Sequence, residues 1–260
     1  MSHFDIDEYA YLESPFHSFD PRAKFVSVLV LMFSIVLLND IRILVAGLLL
    51  AVALVLVSRI PLLFVMGRLK WVALFVLAVV IVLPFSVSGT ALFSVGALTF
   101  TMEGLLQALV ISVKAFSVVL LIFPMLATMK FVSFIKALEK LHVPNRLVQM
   151  ITLTYRYIFV LLNEIQRTLR SIESRGYGKR TSILGLKNLG TAIGMLLVRS
   201  YERGGRIFDA MVSRGYNGTM ETLREFEINS KDWAKAASIV AVAVLLHVAA
   251  FTSSIYLGAI

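Results

Sequence analysis

Residues 104–128, GLLQALVISVKAFSVVLLIFPMLAT, are the clearest of the apolar segments that decide the fold. The segment has 25 residues and a single charge, Lys114. About 20 mainly apolar residues are enough for an α-helix to cross the hydrocarbon core of a bilayer. The segment therefore predicts a membrane-spanning helix.

The chain as a whole has the composition of a membrane protein. Hydrophobic residues make up 58% of the 260 residues, and charged residues make up 16%. Soluble domains carry about 25% charged residues, so the composition excludes a soluble enzyme, a disordered chain and a fibrous repeat. The sequence has no cysteine, which excludes disulfides, thiolate metal sites and cysteine nucleophiles. Its acidic start argues against a secretory signal, which needs a basic one.

Five apolar segments predict five membrane-spanning helices, at residues 21–38, 43–57, 71–87, 104–128 and 233–257. Pro21 suits the first turn of the first helix. Basic residues lie in the loops after the second and fourth segments, whereas the connection between the third and fourth has one charge, Glu103. Because cytoplasmic loops collect Lys and Arg, we expect a cytoplasmic N-terminus and an external C-terminus.

Residues 130–231 break this apolar pattern. They contain 17 of the 25 basic and 8 of the 16 acidic residues. A Lys or Arg at the centre of a bilayer costs at least about 2.5–3.5 kcal/mol. Apolar residues nevertheless recur at helical spacing, as in Leu161, Leu162, Ile165, Leu169 and Ile172. We therefore expect long amphipathic helices at the membrane–water boundary or in a bundle beneath it.

The predicted fold class is an all-α membrane protein with about five transmembrane helices and a cytoplasmic or interfacial amphipathic helical region. We divide the chain into an N-terminal arm with four spanning helices at 1–129, the amphipathic region at 130–231 and a last spanning helix at 232–260. The segment 147–162 is ambiguous, and Arg156 in its middle favours an interfacial helix over a sixth span.

The tetrapeptide Ser-Arg-Gly-Tyr occurs twice in the amphipathic region, 39 residues apart. The copies are Ser174, Arg175, Gly176 and Tyr177, and then Ser213, Arg214, Gly215 and Tyr216. Each follows an amphipathic segment, and its glycine suits the left-handed conformation that often ends a helix. One interpretation is two helix caps with solvated arginines. The other is two equivalent contacts, each an arginine beside an aromatic ring, with a partner that offers the same groove twice.

These residues resemble a known family. The N-terminal region is similar to that of the transmembrane T component of energy-coupling-factor (ECF) transporters, in particular the CbiQ type of cobalt uptake systems. The similar residues are IDEYAYL at 6–12, Ser-Pro at 14–15 and Asp-Pro-Arg at 20–22. Val-Pro at 143–144 and Thr-Tyr-Arg-Tyr at 154–157 resemble its central segment. The two Arg-Gly motifs resemble its paired coupling motifs, although Ser174 and Ser213 stand where alanine is common. The resemblance covers essentially the whole chain.

The resemblance implies the energy-coupling subunit of an ATP-driven uptake transporter for cobalt. Nickel uptake systems have similar subunits, so the resemblance does not separate nickel from cobalt. The implied partners are two CbiO-like ATP-binding-cassette subunits and a CbiM-like substrate-capture membrane subunit, with a small CbiN-like subunit as an option. The helices that end at Arg175 and Arg214 are expected to dock into the two ATPase subunits, one helix into each. They are expected to transmit the closure of the ATPase pair to the capture subunit. The implied location is the inner membrane of a prokaryotic cell. We expect no cofactor and no enzymatic activity in the chain itself.

Further residues are candidates for contacts between subunits. Lys114 lies well inside a predicted span, where charged side chains usually face a partner subunit or water. The alternatives to a contact between subunits are that its side chain snorkels to the membrane surface or that it pairs with Glu103. The other candidates are Arg167 and Arg206, each eight residues before a motif arginine, together with Tyr155 and Arg156. Glycines that suit either hinges or close helix packing are Gly185, Gly190, Gly194, Gly204 and Gly205.

Other chemistries lack their motifs. The nearest approach to a phosphate-binding loop, at 173–180, lacks both the leading glycine and the final Ser or Thr. Metal-ligand spacing is absent from the four histidines, so we assign no metal site; they are His3, His17, His142 and His247. Nucleic-acid binding is disfavoured because no aromatic and basic platform accompanies the charge. The alternative functions are a stand-alone secondary transporter or channel, and a scaffold that binds anionic lipid.

Overall fold

The computed structural model describes residues 11–12, 14–95, 98–174, 183–218 and 229–258. Within these residues it has eight α-helices, which confirms the predicted all-α class. The helices are α1 (Pro21–Leu37), α2 (Ile41–Val57), α3 (Leu62–Ser86), α4 (Met102–Ile122), α5 (Phe131–Lys140), α6 (Asn145–Ser174), α7 (Ile183–Val212) and α8 (Ser230–Gly258). Two strands, β1 (Ala91–Val95) and β2 (Leu98–Thr101), form an antiparallel hairpin between α3 and α4 that was not predicted from the sequence.

The chain divides into two compact units. The first, called here the apolar bundle, comprises Met1–Ala137 and Phe226–Ile260. The second, the helix-pair unit, comprises Leu138–Glu225 and contains α6 and α7.

Three helices among the described residues are long and apolar enough to cross a membrane. They are α3, α8, and α4 together with the π-helical turn Phe123–Ala127 that extends it. Helix α2 is a shorter apolar helix of 17 residues, and α1 also has 17. A helix of that length extends about 25 Å, against a hydrocarbon core of about 30 Å. Spanning by α1 and α2 therefore stays a prediction.

The third predicted span begins earlier in the structure than predicted. The prediction put its start at Trp71, with Arg68 and Lys70 in the preceding loop, whereas α3 begins at Leu62. The Arg68 guanidinium lies 5.5 Å from the centre of the Phe64 ring, one turn earlier in the helix. Hydropathy marks where a helix becomes fully apolar, and the helix itself extends through charged turns beyond that point.

Helix α1 lies in the core of the apolar bundle, where it packs against α4 and α8. It begins at Pro21, as predicted, and the Asp20 carboxylate accepts a hydrogen bond of 2.8 Å from the Arg22 backbone N–H. Leu31 and Ile35 on this helix have no exposed surface. An N-cap fixes where the helix starts, and apolar burial fixes which face turns inward.

The end of α3 and the start of α4 meet at Gly104. A Cβ atom at this position would lie 2.7 Å from the Cα of Pro84 and 2.9 Å from the carbonyl oxygen of Leu83, so a side chain does not fit. The Thr101 hydroxyl lies 3.0 Å from the Pro84 oxygen and 2.8 Å from the Val87 oxygen. These contacts hold the two helices together at the hairpin end.

The helices α6 and α7 have 30 residues each. They run antiparallel, because the end of α7 contacts the start of α6 and their middles contact each other. Tyr216, just after α7, bonds to Gln149 near the start of α6. Further along, Arg199 and Arg203 lie 3.4 Å and 3.2 Å from the Glu164 carboxylate oxygens. The ambiguous stretch 147–162 lies within α6, which is not among the described helices apolar enough to cross a membrane.

Candidate functional site

The second Ser-Arg-Gly-Tyr copy closes the C-terminus of α7. The Gly215 N–H donates to the Val212 oxygen at 3.0 Å, and the Tyr216 N–H donates to the Met211 oxygen at 3.1 Å. Gly215 has a φ of +85°, in the left-handed region that a residue with a side chain rarely adopts. This pair of hydrogen bonds is the Schellman motif, which satisfies carbonyl groups that a helix end leaves unpaired.

The side chains around this cap tie the end of α7 to the start of α6. The Tyr216 hydroxyl donates to Oε1 of Gln149, and Nε2 of Gln149 donates to the Gly218 oxygen at 2.7 Å. Gln149 is buried, whereas Arg214 is exposed. The cap therefore presents the Arg214 guanidinium outward on a helix end that is fixed from both sides.

The first copy begins where α6 ends. Ser174 is the last residue of α6, and its hydroxyl donates to the Ser171 oxygen at 3.0 Å. The rest of this copy, Arg175, Gly176 and Tyr177, lies outside the described residues. Because α6 and α7 run antiparallel, Ser174 and Arg214 lie at opposite ends of the helix pair. A helix of 30 residues is about 45 Å long, so these two ends are well separated.

Lys114 has partners within the apolar bundle. Its Nζ atom donates to the main-chain oxygen of Val36, at 2.8 Å, and to Oδ1 of Asn39, at 3.0 Å. The alternative of pairing with Glu103 is wrong, because the Glu103 carboxylate accepts from the backbone N–H of Thr90, at 2.7 Å, and from the Thr90 hydroxyl. Lys114 therefore satisfies a carbonyl in the last turn of α1, at the negative end of its dipole. Its predicted intersubunit role stays a prediction.

The other four candidates for contacts between subunits lie along α6 and α7. The Arg156 guanidinium lies 5.9 Å from the Tyr157 ring centre, and Tyr155 packs edge-on against Phe159. Arg206 is exposed and forms a 4.0 Å ion pair with Glu202, one turn earlier in α7. Arg167 lines a cavity between α6 and α7. Their predicted roles between subunits stay predictions.

Several residues that the fold brings together were not predicted from the sequence. Lys24 is completely buried and donates to the main-chain and side-chain oxygens of Thr128. Gln149 and Glu164 each connect α6 to the end or the middle of α7. A lysine three residues after Pro21, inside an apolar helix, was the available signal for Lys24. Local sequence gives no comparable signal for the glutamine.

Two of the histidines contact serine hydroxyls within the same unit of the chain. Nδ1 of His17 lies 2.7 Å from the Ser14 hydroxyl, and Nδ1 of His247 lies 3.0 Å from the Ser34 hydroxyl. His142 follows α5 with a φ of +64°. Among the described residues, no group of three or more His, Asp or Glu side chains is placed to hold a metal ion. His3 lies outside the described residues.

Four of the glycines in α7 are not explained by close packing within the described chain. A Cβ atom added at any of four positions would have no neighbour within 4 Å outside the backbone of its own helix; these are Gly190, Gly194, Gly204 and Gly205. A glycine inside a helix destabilises it by about 0.5–1 kcal/mol relative to alanine. Close packing inside this unit therefore gives no reason for them, which leaves the hinge interpretation or contacts with another molecule.

Together these features define a class: a multi-pass α-helical membrane protein that carries, in the same chain, an amphipathic helix pair with an outward arginine at a capped helix end. Residues 13–225 match the CbiQ family, which is described as cobalt transport protein. The match covers more than half of the chain, and the chain belongs to this family. It is the transmembrane T component of an ECF transporter, which is a transporter subunit and not an enzyme.

Relatives match over most of their own length. The energy-coupling factor transporter transmembrane protein EcfT of Heliobacterium modesticaldum is 24% identical over 254 residues, which cover 93% of this chain and 95% of the relative. EcfT of Bacillus subtilis is 24% identical over 261 residues, which cover 95% and 98%. An uncharacterised protein of Methanocaldococcus jannaschii is 29% identical over 234 residues, which cover 88% and 80%.

Proposed function

We propose that this T component serves an ATP-driven uptake transporter for cobalt, with nickel as the second candidate cargo. The description of the CbiQ family as cobalt transport protein supports cobalt. The relatives named EcfT carry the general ECF name, which specifies no cargo. Within this proposal the region 130–231 is the coupling domain between the membrane helices of 1–129 and 232–260.

The position of Arg214 is the observation that carries the proposal. Its guanidinium is exposed on a helix end that the Gly215 cap and the bond between Tyr216 and Gln149 hold in place. A planar guanidinium with five donors suits a groove in a partner protein, where buried arginines often dominate the binding energy. A displacement of this end would reach both α7 and α6, because Tyr216 and Gln149 link them.

Two such ends suit two copies of one partner. Ser174, at the end of α6, leads directly into Arg175, to which we assign the same role as Arg214. The two ends lie at opposite ends of helices about 45 Å long, far enough apart for one to contact each of two ATPase subunits. Closure of the ATPase pair on ATP would then change the angle between α6 and α7, and the helix pair would pass this motion to the capture subunit.

The proposed partners are two CbiO-like ATPases and a CbiM-like capture subunit, with a CbiN-like subunit as an option. The proposed location is the inner membrane of a prokaryotic cell, with a cytoplasmic N-terminus. The excess of 25 basic over 16 acidic residues, most of the basic ones in 130–231, supports a cytoplasmic position for that region.

The test is the variant Arg214→Glu in the assembled transporter. We expect at least tenfold weaker binding of the ATPase subunits and loss of cobalt-stimulated ATP hydrolysis, because a carboxylate cannot fill a site built for a guanidinium. The matched control is Lys187→Glu, which makes the same charge change at an exposed position of α7. Equal ATPase binding and coupling in Arg214→Glu and the control would refute the proposal.

Uptake of radioactive cobalt and nickel by the intact complex then distinguishes the two cargoes. The purified chain alone in liposomes should carry neither ion. Flux without the partner subunits would favour the alternative of a stand-alone secondary transporter or channel.

A further inference from the structure

We propose that the polar cavity between α6 and α7 binds a phosphate group carried by a larger molecule. The cavity lies wholly within the helix-pair unit and has a volume of about 880 Å³. Both helices contribute to its walls, so a molecule inside it contacts α6 and α7 at once. This inference does not depend on the identity of the ATPase or of the cargo.

The cavity is positively charged. Three arginines line it, and a single carboxylate, Glu164, stands among them; the arginines are Arg167, Arg199 and Arg203. Oε1 of Glu164 lies 3.4 Å from Nη1 of Arg199, and Oε2 lies 3.2 Å from Nη2 of Arg203. Arg167 has no ion-pair partner within the described part of the chain. One carboxylate cannot neutralise three guanidinium groups, so the cavity keeps a net charge of about +2.

Some hydrogen-bond donors of the cavity have no acceptor. Nη1 of Arg203 and Nδ2 of Asn188 are both buried and lack a hydrogen-bond partner among the described residues. A buried donor without an acceptor is costly, and folded proteins rarely leave one unsatisfied. These two atoms therefore have no acceptor among the described protein atoms, and an anion would supply both acceptors and compensating charge.

A phosphate group fits this donor set better than a carboxylate. Its oxygens accept several hydrogen bonds in different directions, and guanidinium groups bind it in bidentate geometry. Asn163 and Thr191 add neutral polar groups to the wall. Small-molecule sites have volumes of about 300–1,000 Å³, so a cavity of this size has room for the molecule to which the phosphate belongs. The two sources of such a group are an anionic phospholipid headgroup and a soluble phosphate compound.

The experiment uses the full chain purified in detergent. One arm follows thermal unfolding with inorganic pyrophosphate against chloride at equal ionic strength. The second arm reconstitutes the chain in nanodiscs with phosphatidylglycerol and phosphatidylcholine and uses native mass spectrometry to identify retained lipid. We compare the wild type with the double variant Arg167→Gln/Arg199→Gln. The matched control, Arg170→Gln/Lys187→Gln, removes two charges at exposed positions that do not line the cavity.

The wild type and the control should bind one probe, and the double variant should bind it at least tenfold more weakly. A response to pyrophosphate identifies a soluble phosphate compound, and selective retention of phosphatidylglycerol identifies a lipid headgroup. Binding of neither probe, or equal binding by both double variants, would overturn the proposal. Loss of ATPase association in the double variant without binding of either probe would also overturn it, because the cavity would then receive a protein carboxylate. If the double variant does not fold, Arg167→Gln alone replaces it, since that side chain is exposed.

Discussion

The Nζ atom of Lys24 lies 2.9 Å from Oγ1 and 3.3 Å from the main-chain oxygen of Thr128, although 104 residues separate the two in sequence. Lys24 has no exposed surface. Thr128 follows the π-helical turn that extends α4, and its hydroxyl donates to the Pro124 oxygen at 2.8 Å. The ammonium group thus connects the first turn of α1 to the end of α4 in the core of the apolar bundle.

Replacing Thr128 with valine should destabilise the apolar bundle. The substitution keeps the shape of the side chain but removes one acceptor of the buried Lys24 ammonium. A hydrogen bond to a charged group contributes about 1.5–3 kcal/mol, so we expect a loss of that size in the free energy of unfolding. Thermal unfolding of the purified protein in detergent measures it.

The control for this substitution is Thr154→Val. Thr154 is exposed, and its hydroxyl makes the same type of bond to the oxygen four residues earlier, at 2.7 Å. We expect a change within about 0.5 kcal/mol there. Adding Lys24→Met to Thr128→Val should recover part of the loss, because it removes the ammonium that has lost its side-chain acceptor. Similar stability of the Thr128 and Thr154 variants would contradict the assigned role of the Lys24 contact.

The cap of α7 predicts a cost for Gly215→Ala. Gly215 has a φ of +85°, and a side chain in the left-handed region costs about 1–2 kcal/mol. Loss of the cap should fray the last turn of α7 and release Tyr216 from Gln149. Hydrogen–deuterium exchange should therefore speed up near the end of α7, and ATPase coupling should weaken with it.

The matched control for the cap is Gly205→Ala in the interior of α7, where an added Cβ meets no atom within 4 Å outside the backbone of its own helix. Here alanine should stabilise the helix by about 0.5–1 kcal/mol. If Gly205 is a hinge, transport should fall although stability rises. Faster exchange in Gly205→Ala, or unchanged exchange in Gly215→Ala, would be inconsistent with the cap geometry.

Lys114→Met should lower the stability of the chain on its own, without its partner subunits. The substitution leaves the Val36 oxygen at the end of α1 and the Asn39 side chain without their donor. We expect a loss of about 1 kcal/mol, measured by thermal unfolding of the chain without its partners. Lys231→Met, at an exposed position of α8, is the control and should have no effect. Unchanged stability combined with loss of the capture subunit would instead support the predicted intersubunit role.

Features that depend on neighbouring residues were predictable from the sequence. The start of α1 at Pro21 follows from the Asp-Pro cap, and the end of α7 at the second Ser-Arg-Gly-Tyr copy follows from its glycine. The start of α3 was predicted nine residues late, since hydropathy follows apolar character and not helix ends. The hairpin of β1 and β2 was missed because each strand is only four or five residues long.

The sequence by itself determined the membrane class, the amphipathic region and the arginine at the end of a helix. These follow from composition summed over about 20 residues and from cap chemistry within one turn, which depend on no distant contact. Only the tertiary structure decided which side chains form hydrogen bonds with one another. Lys24 bonds to Thr128, Lys114 bonds to the last turn of α1, and Tyr216 bonds to Gln149. The tertiary structure also placed Arg199 and Arg203 of α7 against Glu164 of α6. Such partners lie far apart in the sequence, and the path of the chain in three dimensions selects them, because many side chains of the same type could have made the same bond.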